Sequence, residues 1–150
     1  MQIIRQFDKP HLPEAAIFAG CSAREHRSLS RLGTTVRVRP GTTLTPEGRP
    51  GKEFFVIKDG AATCTFRGSE LAHLSNGDFF GEMALLDGGP RTATVIAETP
   101  LDLVVYSTVE FRTMVDTSSR IRRHLLTEMA HRLRAADAEV SRVVEIAGEF

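Results

Sequence analysis

At 150 residues the chain is long enough for one domain with a real hydrophobic core and too short for two. Lys plus Arg and Asp plus Glu both number 19, so the formal net charge is zero, which argues against a protein that grips nucleic acid through its phosphates. The two cysteines, Cys21 and Cys64, form neither a metal-ligand spacing nor a disulfide framework. With no signal peptide and no run of roughly 18 apolar residues, a cytoplasmic protein with two buried, reduced thiols is expected, away from any membrane.

Residues 1–11 read as a loose lead-in ending near Pro10. N-terminal helices are expected over 12–34. Ile17 and Phe18 staple the segment to the core, Ser22 and Glu25 have capping-box spacing, and Arg24–Leu32 continues the helix to a stop at Gly33. From 35 to 107 short apolar or alternating runs recur. They are Val36–Val38, Thr43–Leu44, Phe54–Ile57, Ala62–Phe66, Leu71–Leu74, Phe79–Phe80, Thr92–Ala97 and Leu101–Tyr106. Turn signals separate them, and Asp59-Gly60 and Asn76-Gly77 are specific ones, because one position needs a positive φ. Such closely spaced strands predict an antiparallel β-roll, or jelly roll, of about eight strands.

From 108 to 146 the chain reads as helix: a short one over Val109–Val115, then a long one capped by Ser118 or Ser119. The long helix carries Ile121, Leu125, Met129, Leu133, Ala136, Val140, Val143 and Ala147 on one stripe. That stripe is expected to pack on the roll, with homodimerisation through the helix as a second role. Arg120, Arg122, Arg123, Glu128, Arg132, Arg134 and Glu139 fall on the other face. The predicted fold class is therefore α+β: one domain, residues 1–150, with a β-roll flanked by an N-terminal helix and two C-terminal helices.

The chemistry concentrates in residues 76–95. Gly81 permits close backbone approach, and Glu82–Leu86 reads as one turn of helix inside an all-β region. A helix N-terminus offers unpaired N–H groups and favours an anion. Arg91 follows a Gly-Gly-Pro turn that can fold it back over that helix. A phosphate between helix and guanidinium would resolve this like-charge arrangement. Glu82 would then sit beside the anion, which is tolerable if it accepts from a hydroxyl-bearing group such as a sugar.

The run Phe80-Gly81-Glu82-Met83-Ala84-Leu85-Leu86, then Asp87-Gly88-Gly89, then Pro90-Arg91-Thr92-Ala93-Thr94-Val95, resembles the phosphate-binding cassette of the cyclic nucleotide-binding domain family. Phe18-Ala19-Gly20, Pro40-Gly41 and Phe54–Gly60 match further landmarks, so the resemblance covers roughly residues 12–145, with the cassette at 80–95. It implies a cAMP or cGMP ligand and no other cofactor. Glu82 would accept from the ribose 2′-hydroxyl, Arg91 would pair with the cyclic phosphate, and backbone around Gly81, Met83 and Ala84 would support the ribose-phosphate. Thr92 would reach the phosphate or a guanine amino group. In the catabolite activator branch the long helix gives a Thr-Ser pair to the purine, and here Ala136-Asp137 stands at that place. Arg132 or Arg134 is the candidate replacement, directed at Glu82 or the base.

Other readings weigh less. Leu85, Leu86 and Val95 are assigned to the core. His11, His26, His73, His124 and His131 show no metal-ligand spacing, so no metal is expected. A cupin-like metal enzyme would need ligands on neighbouring strands, and only His73 lies in one. No nucleophile–base pair stands out, so no catalysis is expected. Four residues follow Ile146, where transcription factors of this family carry a helix-turn-helix. The expectation is a stand-alone bacterial-type sensor whose C-terminal helices change on ligand binding and regulate an unidentified effector protein. The alternatives are a transcription regulator's sensor without its DNA-binding part and a degenerate scaffold.

Overall fold

A computed structural model describes residues 3–7 and 12–148. Nine strands are found there: β1 Ile3–Phe7, β2 Thr34–Val38, β3 Thr43–Thr45, β4 Glu53–Asp59, β5 Ala62–Phe66, β6 Ser69–Leu74, β7 Phe79–Phe80, β8 Thr94–Ala97 and β9 Leu101–Ser107. The helices are α1 Ala23–Leu29, α2 Glu82–Asp87, α3 Thr108–Thr117 and α4 Ser119–Gly148, with a 3₁₀ turn at Ala16–Phe18. The strands form two antiparallel sheets, ordered β1-β2-β9-β4-β7 and β3-β8-β5-β6. Strands β2–β9 make the expected eight-stranded roll, and β1 extends its edge. The lead-in reading of residues 1–11 is thereby corrected, since Gln6 and Phe7 pair with Val36 and Thr35. His11 lies outside the described residues.

β4 organises the interior. Its Phe54–Ile57 run is buried throughout. Side chains alternate across a strand, so Phe54 and Val56 enter one core while Phe55 and Ile57 enter another. The first core joins the sheet to the helices through Phe79, Tyr106, Phe111, Met114, Ile121 and Leu125. The second fills the roll with Val38, Leu44, Phe80, Val95, Leu101 and Leu103. Phe55 and Phe80, paired across β4 and β7, stack with ring centroids 4.7 Å apart.

Caps fix the helix starts. Ser22–Glu25 and Ser107–Glu110 both form complete capping boxes. Glu110 also accepts from the Gly33 amide at 2.7 Å, tying α3 to the end of the α1 segment. Ser118 caps α4, accepting from the Ile121 N–H at 3.3 Å while donating to Glu25 at 2.9 Å. α1 ends at Leu29 rather than Leu32, because the next turn tightens to a Leu32 N–H bond onto the Leu29 carbonyl. Leu86 is exposed, whereas Leu85 and Val95 are buried: a six-residue α2 turns only one face inward.

The α4 stripe splits in two. Ile121 and Leu125 are buried and Met129 is partly buried, but Leu133, Val140 and Val143 are exposed. A helix of 30 residues rises about 45 Å, which outruns the roll. Burial of α4 in the core therefore belongs to its first three turns. Replacing Ile121 with Ala opens a cavity in the core where α4 meets α3 and the 3₁₀ turn, and should cost about 2–5 kcal/mol in chemical denaturation.

Candidate functional site

β7 runs directly into α2, and the change of direction falls on Gly81. Its φ of +89° at the N-cap is one that side-chain-bearing residues rarely adopt. This turn buries the next side chain: Glu82 is 1% exposed. Arg91, 6% exposed, comes back alongside it from the segment after α2. The Arg91 Nη1 donates to the Gly81 carbonyl and Nη2 to the Glu53 carbonyl, each at 2.8 Å. The Glu53 carboxylate stands 3.6 Å from Nη2, and the guanidinium carbon lies 5.8 Å from the Phe55 ring centroid. A guanidinium carries five N–H donors, so two carbonyls do not exhaust it. Burial pushes the Arg91 pKa down, and the carboxylates of Glu53 and Glu82 oppose that shift.

The backbone of Arg91 is held as firmly. Its N–H donates to the Arg49 carbonyl and its own carbonyl accepts from Gly48, both at 2.8 Å. These bonds close the 46–51 loop over the arginine. β8 consequently starts at Thr94, two residues later than its alternating pattern suggests.

Glu82 has one free oxygen. Its Oε1 pairs with Arg132 Nη1 from α4, while Oε2 is buried without a partner. Burial raises the Glu82 pKa, with Arg132 pulling it back. Arg132 is further held by Glu128 Oε1 at 3.2 Å and lies 5.3 Å over the Phe79 ring. So a buried cation, Arg91, and a buried, half-satisfied carboxylate lie side by side. Groups in that condition cost stability unless something completes them.

Gly81, Glu82, Met83, Ala84, Arg91, Thr92 and Arg132 line one cleft of about 90 Å³. Arg134 does not; it stands on the exposed face of α4, and of the two arginines considered only Arg132 turns inward. Thr92 is exposed at the rim, its hydroxyl 3.9 Å from the Met83 sulfur. Cys64 of β5, half-buried rather than buried, also lines the cleft, and burial pushes its thiol pKa up. Among the described residues no cluster of three or more His, Cys, Asp or Glu could hold a metal ion.

A profile described as "Cyclic nucleotide-binding domain" matches residues 35–118, more than half of the chain. The chain belongs to this family. Among curated relatives, the cAMP-dependent protein kinase regulatory subunit of Yarrowia lipolytica is 39% identical over 92 residues, 60% of this chain and 24% of its own. Glutaminase 2 of Bradyrhizobium diazoefficiens is 35% identical over 135 residues, 87% of this chain and 22% of its own. The chain thus spans about a quarter of the length of these relatives. Among solved structures, the Thermus thermophilus Catabolite Activator Protein superposes with a TM-score of 0.77 at 25% identity, covering 85% of this chain and 62% of that one.

One residue of this cyclic nucleotide-binding domain carried no sequence signal. Gly51 sits in an ordinary-looking loop, yet a Cβ there would lie 2.6 Å from Arg91 Nε and 2.7 Å from the Ala84 Cβ. Gly51→Ala should push Arg91 out of its carbonyl clamp. Losing such charged hydrogen bonds should cost about 1–3 kcal/mol in chemical denaturation, with the fold retained by circular dichroism.

Proposed function

We propose that this domain binds cAMP or cGMP through the ribose-phosphate and passes the binding event to α4. The observation that carries the reading is the buried Glu82 carboxylate with its unpartnered Oε2, beside the buried Arg91 guanidinium. A ribose 2′-hydroxyl can donate to Oε2, and a cyclic phosphate can take the remaining Arg91 donors. The backbone of Gly81, Met83 and Ala84 supports the same groups, and Thr92 is within reach at the rim. The Yarrowia lipolytica relative is named for dependence on cAMP, which supports the ligand class.

Arg132 links this chemistry to a signal. It holds α4 to Glu82, the same carboxylate the sugar would use. A ligand at Glu82 changes the hold on α4, and a ligand shifts only a conformation it contacts differently. The domain then acts as a sensor on an effector protein, in the cytoplasm, and not as a catalyst. The likeness to the catabolite activator also accommodates a transcription regulator as the whole protein.

Isothermal titration with both nucleotides tests the reading. Wild-type protein should bind saturably, and Arg91→Ala should weaken binding by about a hundredfold or more, with Glu82→Gln losing about tenfold. No saturation at high micromolar ligand, or unchanged binding by Arg91→Ala, would sink it.

The outer half of α4 fits a second copy of the chain. Leu126, Leu133, Val140 and Ala147 fall at every seventh position, and Leu126, Leu133 and Val140 are exposed. That period is the one that keeps two helices in register along a shared seam. Light scattering on the eluting protein should report a dimer, and Leu133→Glu should convert it to monomer while leaving nucleotide affinity intact.

A further inference from the structure

The two cysteines stand in different surroundings. Cys21 packs against the first core and lines neither the cleft of Glu82 and Arg91 nor the cavity beside it. Cys64 lies in the middle of β5, between β6 and β8, with Ala72 and Val95 as its register partners. Side chains alternate along a strand, so Cys64 shares a face with the fully buried Ala62. It packs against the second core without being covered by it. Its side of the strand walls both the 90 Å³ cleft and a neighbouring cavity of about 740 Å³ between β6 and α4.

A second observation marks this wall as part of a ligand site. Glu82, 1% exposed, lines the same cleft with its Oε2 unpartnered. A group fixed to the Cys64 sulfur therefore competes for the space in which Glu82 is to be completed. Burial pushes the thiol pKa up, Arg132 opposes that shift, and Glu82 and Glu47 reinforce it. The thiolate is the nucleophile, so Cys64 reacts slowly near neutral pH and faster as pH rises. A thiol with little thiolate is also spared by mild oxidants. Its sulfur is soft and polarizable, which suits it to a soft carbon electrophile.

We propose that Cys64 is a modification site that closes the cleft: an α,β-unsaturated carbonyl compound adds to its sulfur, and the adduct takes the place of the nucleotide. The thiol gives up its proton, and the sulfur bonds to the β carbon as the C=C π bond breaks. The resulting enolate takes a proton at the α carbon, so no group leaves and no oxidant is required. The thioether is carried on a strand paired on both sides, so the backbone beneath it is held in place. This inference rests on the ribose-phosphate reading of Glu82 and Arg91.

The test treats the full chain with N-ethylmaleimide, maps the labelled peptides by mass spectrometry, and titrates cAMP and cGMP before and after treatment. Cys64 should be labelled in the native protein, and saturating nucleotide should slow its labelling while leaving that of Cys21 unchanged. Treated Cys21→Ser protein should no longer bind saturably, whereas treatment should not alter the binding that Cys64→Ser shows beforehand. The labelling readout on wild-type protein stands even if either variant folds poorly. A Cys64 left unlabelled in the native protein, labelling that nucleotide does not slow, or a labelled Cys64 with binding unchanged overturns the inference and leaves the ribose-phosphate reading intact. Failure of untreated wild-type protein to bind either nucleotide overturns that reading, and the closing role of Cys64 with it.

Discussion

The Arg91 guanidinium is the constraint on which the site depends. It bonds the carbonyl of Glu53, at the head of β4, and that of Gly81, at the head of α2. The strand that anchors both cores is thereby tied to the turn that carries Glu82. A buried guanidinium stays charged, so its position sets the local field. The surroundings are cut to fit it: Gly51 and Gly81 lack the Cβ atoms that would collide with it, and Phe55 places a ring face against it.

Glu82 transmits that arrangement to the rest of the molecule. Its carboxylate faces Arg132 from α4 on one oxygen and the cleft on the other. The first turns of α4 are fastened to the cores through Ile121 and Leu125, and nothing among the described residues covers Leu133 or Val140. Arg132 falls at the border between these regimes. The ion pair placed there joins the cleft to α4 just beyond the half that is packed in the core.

Most of the roll was legible from hydrophobic pattern. The β5 and β7 runs have the bounds the pattern suggests, and the Ser22–Glu25 box starts α1. Such features are local, and one strand's alternation or one cap's spacing decides them. Misreadings arose where a distant segment intervened. Residues 3–7 became β1 because β2 offered a free edge, and β8 lost its first two residues to the loop closed over Arg91. Leu86 and the outer stripe of α4 have core-like chemistry but no neighbour to bury them.

For the site, the resemblance of residues 80–95 to the family's cassette named Gly81, Glu82, Met83, Ala84, Arg91 and Thr92, because a carboxylate and an arginine in isolation read equally as a surface ion pair. Tertiary structure chose Arg132 over Arg134, although the two are equivalent in composition and near-neighbours on one helix. The choice turned on which side of α4 faces Phe79 once Ile121 and Leu125 have been buried. Gly51 likewise acquired its role only when β4 brought it against Arg91, since a requirement for empty space leaves no trace in a lone glycine until the occupant of that space is known.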